Sequence, residues 1–153
     1  MTIFRHNSNG PGAMLGDLPV TSRYSFGLAG ERFFRAIKAE GRILGSRCPE
    51  CDMVYVPGVI FCERCLAGIE EWIDVGAVGE VHTFTVLNIG YDGSYLEEPE
   101  VIAYIKLGDG GLVHRISGID PEDMEIGMTV KAVFKPEDER VGSITDILHF
   151  TKS

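Results

Sequence analysis

The sequence predicts a mainly β protein with one N-terminal helix, a four-cysteine metal ribbon and a small closed barrel of five or six strands. Three observations carry this reading. Four cysteines fall in two C-x2-C pairs between Cys48 and Cys65. Ahead of them Phe26, Ala29, Phe33, Ala36 and Ile37 recur at helical steps, and behind them apolar residues alternate in period two between turn signals. Glycine, at 19 of 153 residues, exceeds the usual share of about 7% and suits short strands joined by tight turns.

The helix is placed over Ser25–Gly41. Glu31 stands four residues before Arg35, where the two charges can pair, and Gly41 sits where a C-cap glycine belongs. Arg32, Arg35 and Lys38 follow one another at three-residue steps and form a basic stripe beside the apolar one. The ordinary reading of such a stripe is a solvated face. Residues 1–22 show no hydrophobic period and are expected to be a flexible tail, or one that a larger partner orders.

Cys48-Pro-Glu-Cys51 and Cys62-Glu-Arg-Cys65 are separated by ten residues. Each pair sets two sulfurs on one turn, and Asp52–Phe61 can fold back between them, so four thiolates converge as tetrahedral Zn²⁺ requires. Iron in the same all-sulfur cage is the open alternative. Disulfides suit a chain without an export signal poorly, and a redox C-x-x-C belongs at a helix N-terminus rather than on a hairpin turn. Four cysteine ligands leave no open coordination position. The expected role is therefore to fold a segment that lacks a core of its own.

Strand candidates follow at Trp72–Val75, Glu80–Ile89, Val101–Leu107, Leu112–Ile119, Thr129–Lys135 and Ser143–Thr151, with Tyr91–Glu100 read as a loop. Gly108-Asp-Gly-Gly111, between two apolar runs, is a hairpin signal. Trp72, the only tryptophan, is expected to be buried between ribbon and barrel as the anchor of one on the other. Alternation places His82 with Phe84 and Val86, and His114 with Leu112 and Ile116. His6 and His149 stand apart from both, and a lone strand histidine is usually a packed or surface residue.

The 44% hydrophobic content excludes a wholly disordered chain, and the length allows one medium domain or two small ones. No run of 18 apolar residues exists, so no membrane-spanning helix is expected. Met1–Pro19 holds no apolar stretch of 7 or more, which argues against a secretory signal and for a cytoplasmic protein. The net charge of −9 is split: residues 1–47 hold seven cations and three acids, residues 48–153 seven cations and twenty acids. A basic arm on an acidic body can meet a phosphate-bearing ligand at the arm, while the body repels a nucleic-acid backbone.

The layout resembles an acyl-CoA-associated family with an N-terminal helix, a rubredoxin-like zinc ribbon and a C-terminal OB-fold. Phe33-Phe34, Gly41-Arg-Ile-Leu-Gly-Ser-Arg-Cys48, the two cysteine pairs, Val56-Pro57 and Glu71-Trp72 carry the resemblance through the ribbon. Gly76-Ala-Val-Gly-Glu-Val-His-Thr-Phe-Thr-Val86, Gly118-Ile-Asp-Pro-Glu-Asp123 and Ile126-Gly-Met-Thr-Val130 carry it through the barrel. It spans roughly residues 28–150 and implies a tail over 1–24, a helix over 25–45, a ribbon over 46–70 and an OB-fold over 71–153.

The resemblance implies a non-catalytic companion of a larger thiolase-like subunit, with CoA or an acyl-CoA ester as shared ligand and an aromatic-degrading thiolase as the expected partner. A hydratase or aldolase partner is the first alternative. A single-stranded nucleic-acid binder is the second, disfavoured by the acidic barrel, and a rubredoxin-type redox ribbon the third. The chain shows no nucleophile elbow, H-E-x-x-H or phosphate loop. The cations expected to meet CoA phosphates are Arg32, Arg35 and Lys38 on the helix, Arg47 beside the ribbon, and Lys106 and Arg115 on the barrel. The ordinary reading of the last two is outward strand charge. The Tyr91–Glu100 segment, with two tyrosines and four acids, suits a protein surface better than a phosphate.

Overall fold

The structure, a computed structural model, describes residues 24–90 and 92–153 together with the backbone of a short antiparallel pair, β1 (Ile3–Phe4) and β2 (Ala13–Met14). The rest of the expected tail, including His6, lies outside the described residues, as does Tyr91. Helix α1 (Gly27–Glu40) buries Phe33, Ala36 and Ile37 and pairs Arg35 with Glu31 at 2.5 Å. It stops at Gly41, whose φ of 62° is left-handed and whose N–H donates to the Ile37 carbonyl at 3.0 Å. Glycine enters that conformation without the Cβ penalty other residues carry.

Three short strands follow in the order β4-β3-β5, all antiparallel: β3 (Leu44–Arg47), β4 (Val54–Tyr55) and β5 (Glu71–Asp74). The expected barrel strand at Trp72–Val75 is β5, and it pairs with β3 of the ribbon, from Arg47 opposite Glu71 to Leu44 opposite Asp74. Five strands then close a barrel: β6 (Val78–Ile89), β7 (Tyr95–Leu107), β8 (Gly110–Ile116), β9 (Thr129–Phe134) and β10 (Ile147–Lys152). Their order, β10-β8-β7-β6-β9 with β9 returning to β10, is antiparallel except where β10 meets β8. That is the Greek-key closure of an OB-fold.

Several boundaries differ from the expectation for physical reasons. Residues 95–100 continue β7 rather than forming a loop: β6 runs past the barrel and pairs with Glu100 and, after a register shift, with Tyr95. β8 ends at Ile116, and Gly118 turns with a φ of 75°. The expected strand at Ser143–Thr151 begins instead with a 3-10 turn, Ile144–Asp146. The register shifts between Val81 and Thr83, so Val81 is buried and Phe84 packs on the core while His82 is left exposed. His82 therefore leans on Tyr104 outside the barrel rather than joining Phe84 and Val86. His114 does lie with Leu112 and Ile116, beside the Phe150 ring.

Trp72 is half-buried, and it is not the lock between ribbon and barrel. Its ring lies on Gly58, where a Cβ would strike it, and under the Arg32 guanidinium at 5.0 Å. It thus joins ribbon to helix. The lock is the β7–β8 turn. Asp109 N–H donates to the Val54 carbonyl at 3.1 Å, Gly111 N–H to the Val56 carbonyl at 3.0 Å, and Asp109 Oδ2 accepts from Val54 N–H at 2.9 Å. A Cβ on Gly110 would fall 2.6 Å from the Val56 nitrogen. Side-chain-free backbone is what allows this approach, and it carries Val56 into a core shared by Phe33, Ile37, Ile43 and the barrel.

Asp146 is fully buried and organises the β9–β10 connection. Its carboxylate accepts from Val141 N–H at 3.1 Å, Gly142 N–H at 2.7 Å and Ser143 N–H at 3.1 Å, with Lys135 Nζ at 3.9 Å. Burial, which disfavours the charge, is outweighed by these N–H donors and by Lys135, so the pKa is held below the usual carboxylate value. Gly142 is thereby seated against Lys38 and the Phe34 carbonyl of α1.

Two outcomes are expected. Gly110→Ala should lower stability by about 2–3 kcal/mol through backbone overlap, read as a shifted urea midpoint, whereas Gly68→Ala, with nothing within 4 Å of its added Cβ, should barely move it. Asp146→Ala should cost about 3 kcal/mol at neutral pH by leaving three N–H groups unpaired. Because the folded pKa lies below the unfolded value of about 3.9, this stabilisation is complete above that value and disappears as pH falls through the folded pKa. The gap between wild type and variant should narrow in acid.

Candidate functional site

The two cysteine pairs form matching knuckles. Cys48 N–H donates to the Met53 carbonyl at 2.9 Å and Asp52 N–H to the Cys48 carbonyl at 3.0 Å. Cys62 and Leu66 repeat both bonds, to Ala67 at 2.9 Å and to Cys62 at 3.0 Å. The residue after each second cysteine turns left-handed, Asp52 at φ 57° and Leu66 at φ 63°. These turns aim all four Sγ atoms at one point, all within 4.8 Å of one another, with Cys48 and Cys65 at 3.5 Å and Cys62 and Cys51 at 4.0 Å. A tetrahedral ion with Zn–S bonds of about 2.3 Å needs sulfurs just under 4 Å apart. The donor set and its spacing fit zinc.

Charge at the cluster is tuned by a residue that the cysteine spacing does not point to. Tyr55 Oη accepts from Glu63 N–H at 3.2 Å, which leaves its own proton for Cys62 Sγ at 3.1 Å. That bond is the first cause pulling the Cys62 thiol down to about 6, with backbone N–H groups helping. Cys51 is pushed up to about 12, first by its hydrogen bond to Cys65 and then by burial. Ser46, fully buried, also went unread in the sequence: its hydroxyl donates to the Val59 carbonyl and accepts from Val59 N–H, both at 2.8 Å, tying β3 to the inter-knuckle segment. The only sequence signal for either residue is its place inside the ribbon.

The six candidate cations do not gather into one site. Arg32 covers Trp72, and Arg47 is held by Asp52 at 2.8 Å and Glu71 at 3.7 Å. Lys106 points outward on β7, directly across from Glu80 on β6. Arg115 reaches Glu100 at 3.7 Å in a cleft that also holds Glu98 and Asp120, surroundings that repel phosphate. Arg35 and Lys38 do come together, around a recess they share with Phe26, Phe34 and Glu31, the partner of Arg35. The same two phenylalanines border an apolar groove of about 630 Å³ where helix, ribbon and barrel meet, lined also by Phe33, Pro57, Leu112 and Val113.

A closed four-thiolate ribbon joined to a five-stranded OB barrel defines a zinc-ribbon/OB-fold protein. The family model for the ChsH2 rubredoxin-like zinc ribbon domain matches residues 35–71, and that for the ChsH2 C-terminal OB-fold domain matches residues 72–135. A DUF35 domain-containing scaffold protein of Methanocaldococcus jannaschii is 36% identical over 118 residues, covering 74% of this chain and 84% of the relative. One from Methanothermobacter thermautotrophicus is 32% identical over 106 residues, 68% of this chain and 80% of the relative. The chain belongs to the DUF35 family.

Three further proteins resemble the chain. A probable enoyl-CoA hydratase alpha subunit of Thermomonospora curvata is 31% identical over 101 residues, 64% of this chain but only 30% of that protein. The Ltp2-ChsH2(DUF35) aldolase structure matches with a TM-score of 0.59 at 26% identity, over 78% of this chain and 93% of that one. A DUF35-family protein of unknown function from Sulfolobus solfataricus matches with a TM-score of 0.60 at 30% identity, over 70% and 78% of the two chains. Among the described residues no helix is long and apolar enough to cross a membrane.

Tyr55→Phe removes one hydrogen bond to sulfur while keeping the ring. It is expected to speed zinc loss to a competing chelator about ten-fold, the scale of a lost outer-shell partner. An unchanged release rate would remove Tyr55 from control of the site.

Proposed function

We propose that the chain is a non-catalytic, zinc-containing subunit that helps a larger acyl-CoA enzyme, in the first instance a thiolase, hold its CoA ester. The observation that carries this reading is the apolar groove at the three-way junction with Arg35 and Lys38 beside it. An acyl-pantetheine arm needs an apolar channel, and the CoA phosphates need cations at its mouth. Lys38 makes no ion pair among the described residues. Arg35 is paired with Glu31 but borders the same recess as Lys38. Arg32, Arg47, Lys106 and Arg115 stand away from that recess, each facing an aromatic ring or an acid, and are assigned supporting roles.

Cys48, Cys51, Cys62 and Cys65 hold the metal in this reading, and Zn²⁺ there supplies folding energy rather than Lewis-acid chemistry. With every cysteine of the chain in that cluster, none remains as an acyl-accepting nucleophile. The acyl chemistry is the partner's. The aromatic ester 2-benzoylsuccinyl-CoA is the thiolase substrate we assign first, on the general resemblance of the chain.

An aldolase or hydratase partner is the second reading, favoured by the likenesses to the Ltp2-ChsH2(DUF35) aldolase and to the probable hydratase subunit. Tagged chain recovered from its native cells with a thiolase-like protein in near-equal amount supports the first reading. A hydratase or aldolase instead supports the second, and the chain alone or with RNA- or DNA-handling proteins overturns both. In the recovered complex, Arg35→Glu with Lys38→Glu should weaken CoA binding by about ten-fold at low salt, measured by calorimetry. Equal binding by the variant would move the phosphates elsewhere.

A further inference from the structure

β6 and β7 outrun the barrel they build. Up to Val86 opposite Val101 the pair has a core beneath it, and Val101, Ala103, Ile105 and Leu107 are buried in turn. Beyond that point the two strands continue as an irregular arm, with Leu87 opposite Glu100 and Ile89 opposite Tyr95 and a register shift between the two pairs. None of its described residues is buried, and only Gly90 and Leu96 are even half-covered. A lone two-stranded hairpin is marginally stable in water. At the tip of the arm Asp92 Oδ1 accepts from Ser94 N–H at 3.0 Å and from Ser94 Oγ at 2.7 Å, and Gly90 N–H donates to the Ser94 carbonyl at 2.8 Å.

The arm is apolar where an unsupported hairpin would be polar. Ile89 and Tyr95 are direct cross-strand partners, so their side chains share one face, and they are 51% and 82% exposed. Leu87, two residues back along β6, is 38% exposed. The flanks are of one sign: residues 87–100 hold Asp92, Glu97, Glu98 and Glu100 and no lysine or arginine. Glu100 is engaged by Arg115, while Glu97 and Glu98 make no ion pair among the described residues.

We infer that this arm is the surface that docks on the catalytic partner, seating Leu87, Ile89 and Tyr95 in an apolar recess whose rim carries lysine or arginine. The inference rests on the companion-subunit reading and adds which face of the chain meets the partner. A second copy of the chain is the poorer occupant, because two chains of net charge −9 would bring like-charged arms together. An apolar centre with a complementary charged rim is the ordinary anatomy of a specific interface.

The test uses the full chain and the complex recovered from native cells. Hydrogen–deuterium exchange is compared at residues 87–100 in the free chain and in the complex. Protection there by about ten-fold or more, with barrel amides unchanged, is the expected result. Ile89→Ser with Tyr95→Ser should weaken the complex at least about thirty-fold, and Glu97→Lys with Glu98→Lys about ten-fold at low salt but little at high salt. Barrel amide protection in each variant verifies that it folds. A complex that forms with the arm as open as in the free chain overturns this inference and leaves the companion role intact. Absence of any complex overturns both, and arm protection in a dimer of the chain overturns the choice of partner.

Discussion

Four sulfurs meeting at one point is the constraint on which the rest of the chain depends. The ribbon has almost no core of its own: Val56 is buried in the barrel's core, and only Cys48, Cys62 and Ile69 form a buried cluster within the ribbon, with Tyr55, Val59 and Ala67 packed around them. So little apolar area cannot offset the entropy of ordering some 20 residues. A metal can, since structural zinc in small domains contributes on the order of 10 kcal/mol or more. The knuckle bonds fix the β3–β4 hairpin, and that hairpin presents Val54 and Val56 to the barrel turn. Loss of the metal would therefore be felt beyond the ribbon, in the seat of the helix and the walls of the groove.

How much of this the sequence makes legible follows from how local each signal is. Two C-x2-C pairs announce a metal site because each pair closes its own turn. The helix and its Gly41 cap are legible in the same way, as are the strands whose alternation is unbroken. The barrel order is readable only through the family resemblance, since period two says nothing about which strands pair. His82 is misplaced because a bulge resets the alternation at Val81–Thr83, and nothing in Val-His-Thr marks one extra residue. Trp72 is assigned to the wrong neighbour because its partners, Gly58 and Arg32, lie 14 and 40 residues away in the chain.

Glycine and aspartate show the same divide. Gly108-Asp-Gly-Gly111 is legible as a hairpin, but its closer reason, backbone laid against Val54–Val56, depends on a segment more than 50 residues earlier. Asp146 looks like one more surface acid in an acidic chain. It is a buried cap whose three N–H donors come from the residues just before it. The candidate cations fare worst. Their usefulness depends on which acids or rings engage them, and spacing reveals that only for Arg35 with Glu31; among the described residues Lys38 makes no ion pair.

The OB barrel itself discriminates between the remaining classes of ligand. OB-folds that bind oligonucleotides use the face of their second and third strands together with the loops joining strands one to two and four to five. In this chain those loops are the β6–β7 arm and the β9–β10 connection. The first carries Asp92, Glu97, Glu98 and Glu100, and the second Glu137, Asp138 and Glu139 against Arg140 and Lys135, the latter facing the buried Asp146. Arg140 is turned back, its Nε donating to the Lys135 carbonyl at 2.7 Å and its guanidinium over Phe134. Two acidic loops flanking the strands' outer face would repel a phosphodiester chain at both ends. The cations proposed to meet phosphate, Arg35 and Lys38, stand on α1, outside the barrel, and offer a polynucleotide no continuous track. The edge that binds oligonucleotides in other OB-folds is thereby unsuited to phosphate in this chain, and the arm proposed above as the docking surface extends from that edge.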